Sequence, residues 1–258
     1  MKIKNITSFL DNLYPSSLAS DFDQNKIGLV IGDDALEVKN ILLSLDLTLE
    51  VVKEAISKNA NLIICHHPFI FEPIAKILFN SKEGKILNLM FQEKISLYVM
   101  HTNLDVGENG VNDTLASLLK LTKITGVVAK DSFLRCGTTD ITLQGLTNLV
   151  KNKFDLIMVR VVGPLDRLIT RVGIVGGSGG QSEIIDEAIT KGCDCLITGE
   201  IKLHIAQYAV DNDLCLIEVN HGVEKFVFNN LKEILKTNLN LESKIFISEI
   251  NTDPLLAI

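Results

Sequence analysis

Nothing in this 258-residue sequence is built to cross a membrane: no apolar run approaches the roughly 20 residues a spanning helix needs. The opening stretch MKIKNITSFLDNLYP has neither a continuous apolar segment nor a small-residue cleavage site, so it reads as an amphipathic first helix and not a signal peptide. Cysteine is sparse and odd in number: Cys65, Cys136, Cys193, Cys195 and Cys215. An odd count in a chain this long excludes a disulfide framework. No second close pair accompanies Cys193 and Cys195, which excludes a zinc-finger spacing and leaves them as small core residues on a strand. Lysine and arginine form no cluster, and the formal net charge is −7, which argues against bulk binding to nucleic acid. What is abundant is apolar surface: 47% of residues are hydrophobic, enough for a packed core and too much for disorder. The expectation is a soluble, reduced, cytoplasmic protein of one or two domains with no membrane or nucleic-acid partner.

Short apolar runs alternate with helical patterns, the signature of an α/β fold. Asn40–Leu45, Asn61–Cys65 and Ser96–Met100 read as strands, with helices over Glu50–Lys58 and Lys85–Lys94 between them. The pattern then recurs. EVVKEAISKNANLIICHH from Glu50 aligns without gaps on EIIDEAITKGCDCLITGE from Glu183, roughly a third of the positions being identical. Each copy is preceded by an apolar strand, Ile41–Leu45 or Arg171–Val175. Each is followed by a helix and a strand, Ser96–Met100 or Leu214–Val219. The repeat is too long for a solenoid. It implies a duplicated strand–helix unit forming two α/β lobes, residues 1–126 and 127–258, intertwined where no low-complexity linker marks the boundary. Within the intervening span, Ile141–Leu143 and Leu156–Val162 read as strands.

Of the five histidines, His66, His67, His101 and His221 directly follow predicted strands, the edge at which α/β sheets bind ligands. Two neighbouring imidazoles converge only where a strand gives way to a loop, and Pro68 favours that break. His101-Thr-Asn-Leu-Asp105 leads into a loop marked by Gly107 and Gly110. His221 and Glu224 are three apart at a helix start, on one face. Imidazoles with a minority of carboxylates suit Zn, Fe, Ni or Mn better than Ca or Mg. His66, His67, Asp105, His221 and Glu224 make five ligands, more than one tetrahedral ion takes, so two divalent ions fit better than one.

These residues lie in motifs that resemble the dinuclear-metal family of GTP cyclohydrolase I type 2 homologues. The resemblance spans Gly28-Leu-Val-Ile-Gly32, Leu45-Asp-Leu-Thr48, Asn61 through Phe71 with its His-His-Pro, His101-Thr-Asn-Leu-Asp105, Gly110-Val-Asn-Asp113, Gly176-Gly-Ser-Gly-Gly180 and Ile197-Thr-Gly-Glu-Ile-Lys202. It implies two metals on the five residues just named, a duplicated α/β fold with the metals between the lobes, and a ring-shaped homohexamer. This chain departs in two places. The family's His and Glu of the last motif stand four apart, whereas His221 and Glu224 stand three apart with Asn220 at the family His position; His221 is expected to serve. Phe22 replaces a family Trp.

The remaining candidates carry two readings each. The loop with Gly177 and Gly179 either cradles a phosphate at a helix N-terminus or supplies tight backbone geometry. Glu200 occupies the repeat position of His67, and His204 lies one helical turn later; both are candidates for substrate contact or for orienting ligands, against plain capping or surface salt bridges. Asp46 is similarly ambiguous. His101 is either a further ligand or a general acid/base. The expected activity is metal-dependent hydrolysis of a small molecule. The family name points to opening of the purine ring of a nucleotide such as GTP, although no guanine-reading element stands out in the sequence. The competing expectation is a metal-binding regulatory or carrier protein without turnover.

Overall fold

The computed structural model describes residues 1–239 and 243–255. Two compact units divide the chain: Met1–Gly107 with Phe228–Thr252, and Glu108–Val227 with Asp253–Ile258. The chain therefore leaves the first unit, completes most of the second, and returns. The sequence-based division at 126/127 falls inside the second unit.

The first unit begins with helix α1 (Ile3–Leu13), whose Ile3, Ile6 and Leu10 recur at helical spacing and form its buried stripe. There follow β1 (Gly28–Ile31), β2 (Ile41–Ser44), α2 (Leu49–Ser57), β3 (Leu62–Cys65), α3 (Lys82–Glu93), β4 (Ser96–Val99) and the short α4 (Thr102–Val106). Thr48 caps α2 by accepting from the Val51 amide at 3.2 Å, and Ser81 caps α3 by accepting from Gly84 at 3.0 Å. The sheet runs β1-β4-β3-β2-β11, where β11 (Ile245–Ile247) belongs to the returning segment. Strands β2, β3, β4 and β11 are parallel and β1 is antiparallel. Every residue of β2, β3 and β4 is buried, which explains continuous apolar runs where a one-sided sheet would alternate. Val51, Val52 and Ala55 of α2 and Ile86 and Met90 of α3 pack on Leu42, Ile63 and Leu97.

The second unit contains α5 (Val111–Leu118), β5 (Thr122–Thr125), β6 (Arg135–Thr142), α6 (Leu143–Lys153), β7 (Arg160–Val162), β8 (Leu168–Val175), α7 (Ser182–Thr190), β9 (Cys195–Thr198), α8 (Leu203–Asp211), β10 (Cys215–Glu218) and a 3-10 turn over His221–Phe226. Helix α9 (Val227–Asn238) then carries the chain back. Its sheet runs β5-β6-β8-β9-β10-β7, with β8, β9 and β10 parallel and the others antiparallel. Of the two strand readings in the intervening span, only parts hold. Ile141 and Thr142 end β6, but Leu143 opens α6, because the Thr142 hydroxyl accepts from the Gly145 amide at 3.2 Å and starts a helix. Strand β7 keeps only Arg160–Val162 of the expected Leu156–Val162.

The duplication is present in the topology. β2-α2-β3-α3-β4 and β8-α7-β9-α8-β10 are the same three-stranded parallel unit, and in each an antiparallel strand flanks the third member. One hydrogen bond sets the alignment: the Met100 amide donates to Cys65 O at 3.0 Å, and the Val219 amide donates to Thr198 O at 2.9 Å. Cys65 therefore matches Thr198 and Met100 matches Val219. Counting on along each chain, His67 matches Glu200, His101 matches Asn220, and Asp105 matches Glu224. All five cysteines are free and buried, which fits the core reading of Cys193 and Cys195.

Candidate metal centre

In the first unit the site grows from the ends of β3 and β4. Strand β3 ends at Cys65, yet the chain stays tied to the segment after β2: the His66 amide donates to Ser44 O at 3.3 Å and the His67 amide to Leu45 O at 2.9 Å. Beyond the ladder the two side chains no longer point to opposite faces, and their ring centroids lie 5.0 Å apart. His101, one residue past Met100, brings a third ring within 5.2 Å of His66 and 5.8 Å of His67. The ligand-type atoms of these three imidazoles all fall within 4.8 Å of one another.

Each ring is oriented through Nδ1. His66 Nδ1 is 2.9 Å from Met100 O, His67 Nδ1 is 2.7 Å from Asp46 Oδ1, and His101 Nδ1 is 2.8 Å from Asp23 Oδ1. A carbonyl or carboxylate oxygen only accepts, so in a neutral ring the proton sits on Nδ1 and Nε2 is the basic nitrogen. The acceptors are themselves held. Thr252 Oγ1 donates to Asp46 Oδ2, and both the amide and the hydroxyl of Thr102 donate to Asp23. Burial pushes the Asp23 and Asp46 carboxyls up, but the hydrogen bonds and charge of His101 and His67 together with the Thr102 and Thr252 donors outweigh it and hold both below the ordinary carboxylate value.

Asp105 reaches this group from α4, where the sequence led us to expect a loop. The Asn103 side chain makes the helix: its Oδ1 accepts from the His101 amide at 2.9 Å and its Nδ2 donates to Tyr14 O at 2.7 Å. The Leu104 and Asp105 amides then donate to His101 O. Asp105 Oδ1 stands 3.5 Å from His66 Nε2.

The second unit carries a parallel arrangement on its 3-10 turn. His221 Nε2 is 3.3 Å from Glu224 Oε2, and Glu224 is buried. His221 Nδ1 lies 2.6 Å from Glu200 Oε1, so Glu200 does for His221 what Asp46 does for His67. Asn220 turns away, donating its amide to Asp253, and adopts φ 142°, a region that non-glycine residues rarely enter. By the strand register Asn220 stands where His101 stands in the first unit, but it is His221 that lies beside Glu224. The glycine loop serves close approach: Gly177 has φ 57°, and a Cβ there would stand 2.4 Å from Glu224 Oε1 and 3.2 Å from His221 Nε2. A Cβ on Gly179 would stand 2.7 Å from Thr198 Oγ1. The Gly176 amide donates to Asn112 Oδ1 at 2.7 Å. The carboxylates of Glu200 and Glu224 flank this loop, so it faces negative charge. His204 is exposed on α8 and joins no metal-type group among the described residues.

These groups are able to hold a metal ion. Four imidazoles fixed at Nδ1 by acceptor-only oxygens, with carboxylates beside two of them, are the arrangement in which ligating histidines are oriented. The sequence reading missed Asp23 entirely. Its only local signal was a carboxylate in a short Asp-Phe-Asp segment, and its partner His101 is 78 residues away.

The Duf34/NIF3 (NGG1p interacting factor 3) family profile matches residues 1–254. A Clostridium acetobutylicum protein named GTP cyclohydrolase 1 type 2 homolog is 31% identical over 98% of each chain. Among solved structures, a Staphylococcus aureus hypothetical protein superposes with TM-score 0.93 at 32% identity, covering 100% of this chain and 99% of its own. A Bacillus cereus protein related to NIF3 gives TM-score 0.89 at 26% identity, again over 100% and 99%. No described helix is long and apolar enough to cross a membrane.

Proposed function

The chain belongs to the Duf34/NIF3 family, and we propose that it is a divalent-metal-dependent hydrolase with a dinuclear centre. Its ligands in this reading are His66, His67, Asp105, His221 and Glu224, the set that the family resemblance implies. The observation that carries this reading is the Nδ1 pattern of His66, His67 and His221: each sets Nδ1 against an oxygen that can only accept, which makes Nε2 the basic nitrogen able to ligate a cation. With the carboxylates of Asp105 and Glu224 these three imidazoles make five ligands, more than one tetrahedral ion takes. When bound, two ions of the Zn, Fe, Mn or Ni class would supply Lewis acidity and a water of lowered pKa.

The chain's own residues do the rest. Asp46 and Glu200 fix the tautomers of His67 and His221, and Met100 O fixes that of His66. Asp23 holds His101 so that Nε2 takes up or releases a proton as general base or acid. The substrate is a small molecule, and the relatives named GTP cyclohydrolase 1 type 2 homolog support hydrolytic opening of a purine nucleotide. We place the protein in the cytoplasm as a homohexamer.

Elemental analysis of protein purified without chelator, followed by turnover assays on purine nucleotides, tests the reading. Bound metal with turnover abolished in His67→Ala supports it. Bound metal with no turnover on any nucleotide transfers the assignment to a metal carrier or regulator.

A further inference from the structure

Phe22 and Phe71 are two large aromatic residues left roughly half in water, at 54% and 45% exposure, beside the histidine group. The short turn Asp21–Asp23 explains how they come there. It sends Asp23 inward beneath His101 and Phe22 outward beside the same ring, their centroids 6.3 Å apart in an edge-on arrangement. Phe71 arrives along the chain that continues from His67 and Pro68, and its ring centroid lies 6.4 Å from that of Phe22. Lys26, whose amide donates to Asp23 O at 2.9 Å, holds its ammonium 3.7 Å above the Phe71 ring. Segments 21–26 and 67–71 thus group two aromatic rings and one cation, with the Phe22 ring against His101, in a chain whose net charge is −7.

We propose that Phe22, Phe71 and Lys26 form the wall that recognises the substrate, stacking a planar heteroaromatic base on the Phe22 ring with the tilted Phe71 ring closing against it, and pairing its phosphate groups with the Lys26 ammonium that sits on Phe71. Aromatic rings buried to the hilt would only pack; half-exposed ones beside a polar cluster keep a π-face for a ligand. Stacking on such rings tolerates any base, and an ammonium supplies what the rings cannot, attraction for an anion. A ligand seated there would carry its base edge to His101. The proposal deepens the hydrolase reading, on which it rests for the identity of the reacting site.

The test is calorimetric binding of GTP, of guanosine and of tripolyphosphate to metal-loaded protein, with metal content measured for every variant. Phe22→Leu and Phe71→Leu should each weaken GTP and guanosine by about fivefold or more and leave tripolyphosphate and metal content unchanged. Lys26→Gln should weaken GTP and tripolyphosphate but not guanosine. Wild-type affinity for GTP in both Phe variants would overturn the proposal, as would GTP binding no tighter than tripolyphosphate. Metal loss in the Phe variants would make the rings structural and overturn it too. A change in their light-scattering mass would make the wall a contact between copies of the chain, with the same consequence. Phe-dependent binding without hydrolysis would remove the hydrolase reading and leave the wall standing.

Discussion

The Asp23 carboxylate meets the His101 imidazole through both oxygens, at 2.8 and 2.9 Å from Nδ1, and has no solvent exposure of its own. It also takes the Thr102 amide and hydroxyl, so one buried anion satisfies three donor groups from the end of β4 and the start of α4. Asp23→Ala leaves those donors buried without that acceptor. The expected loss is about 1–3 kcal/mol of unfolding free energy, read from urea midpoints, with Asp23→Asn losing less because its amide oxygen still accepts. An unchanged midpoint in both variants would remove Asp23 from the network.

Protein purified without chelator should carry roughly two divalent ions per chain, since five donors exceed the four of a tetrahedral site. His67→Ala and Asp105→Ala should each lose at least one ion while keeping the wild-type circular dichroism spectrum, because the apolar core does not include them. Full metal content in either variant would remove that residue from the ligand set.

His221→Ala should lose metal, whereas Asn220→Gly should retain it. Glycine is the informative substitution, not alanine, because φ 142° at this position strains any residue with a Cβ. Metal loss in Asn220→Gly with retention in His221→Ala would reverse the assignment.

Asp194 supplies a pH dependence remote from the histidines. Burial pushes its carboxyl up, but donation from Thr170 Oγ1 at 2.7 Å and from the Thr170 and Arg171 amides at 2.8 and 2.9 Å outweighs it and holds the group below its ordinary value. A carboxyl depressed in the folded state stabilises above its unfolded pKa of about 3.9, and that contribution is lost as pH falls through the lower folded value. Wild type should therefore melt above Asp194→Asn at pH 6, with the gap narrowing as pH is lowered below about 4. A gap constant between pH 6 and 3 would refute the linkage.

A homohexamer should show in light scattering as a mass near six times the 28.4 kDa chain. A mass equal to the single chain at micromolar concentration would refute it.

The sequence made the repeat legible because β2–β4, β9, the Cys215–Ile217 part of β10 and the Val172–Val175 end of β8 are buried and read as short apolar runs, and because α2 and α7 share a pattern. His66, His67, Asp105, His221 and Glu224 stood out because they follow such runs. What stayed hidden depends on contacts distant in sequence. Asp23 pairs with a histidine 78 residues on, and Asp46 with one 21 residues on, and no local pattern predicts either. Helix α4 was hidden for another reason: five residues are too few for a periodicity, and it exists because Asn103 ties the His101 amide to Tyr14. The equivalence of Asp105 and Glu224 needed the strand register, since His101–Asp105 and Asn220–Glu224 share no identical position.

The return of the chain to its first unit sets an order of biogenesis. Residues 108–227 are contiguous and can collapse as soon as they leave the ribosome, but the first sheet stays one strand short until β11 has been made. Until then the edge of β2 is bare: the Ile41 amide awaits Lys244 O, and Leu43 O awaits the Ser248 amide. An unpaired, largely apolar strand edge is an adhesive surface for a nascent chain to present. A ribosome stalled anywhere between codons 107 and 247 therefore holds a nascent product whose first sheet is still open at one edge and prone to aggregate, and chaperone demand should peak in that interval.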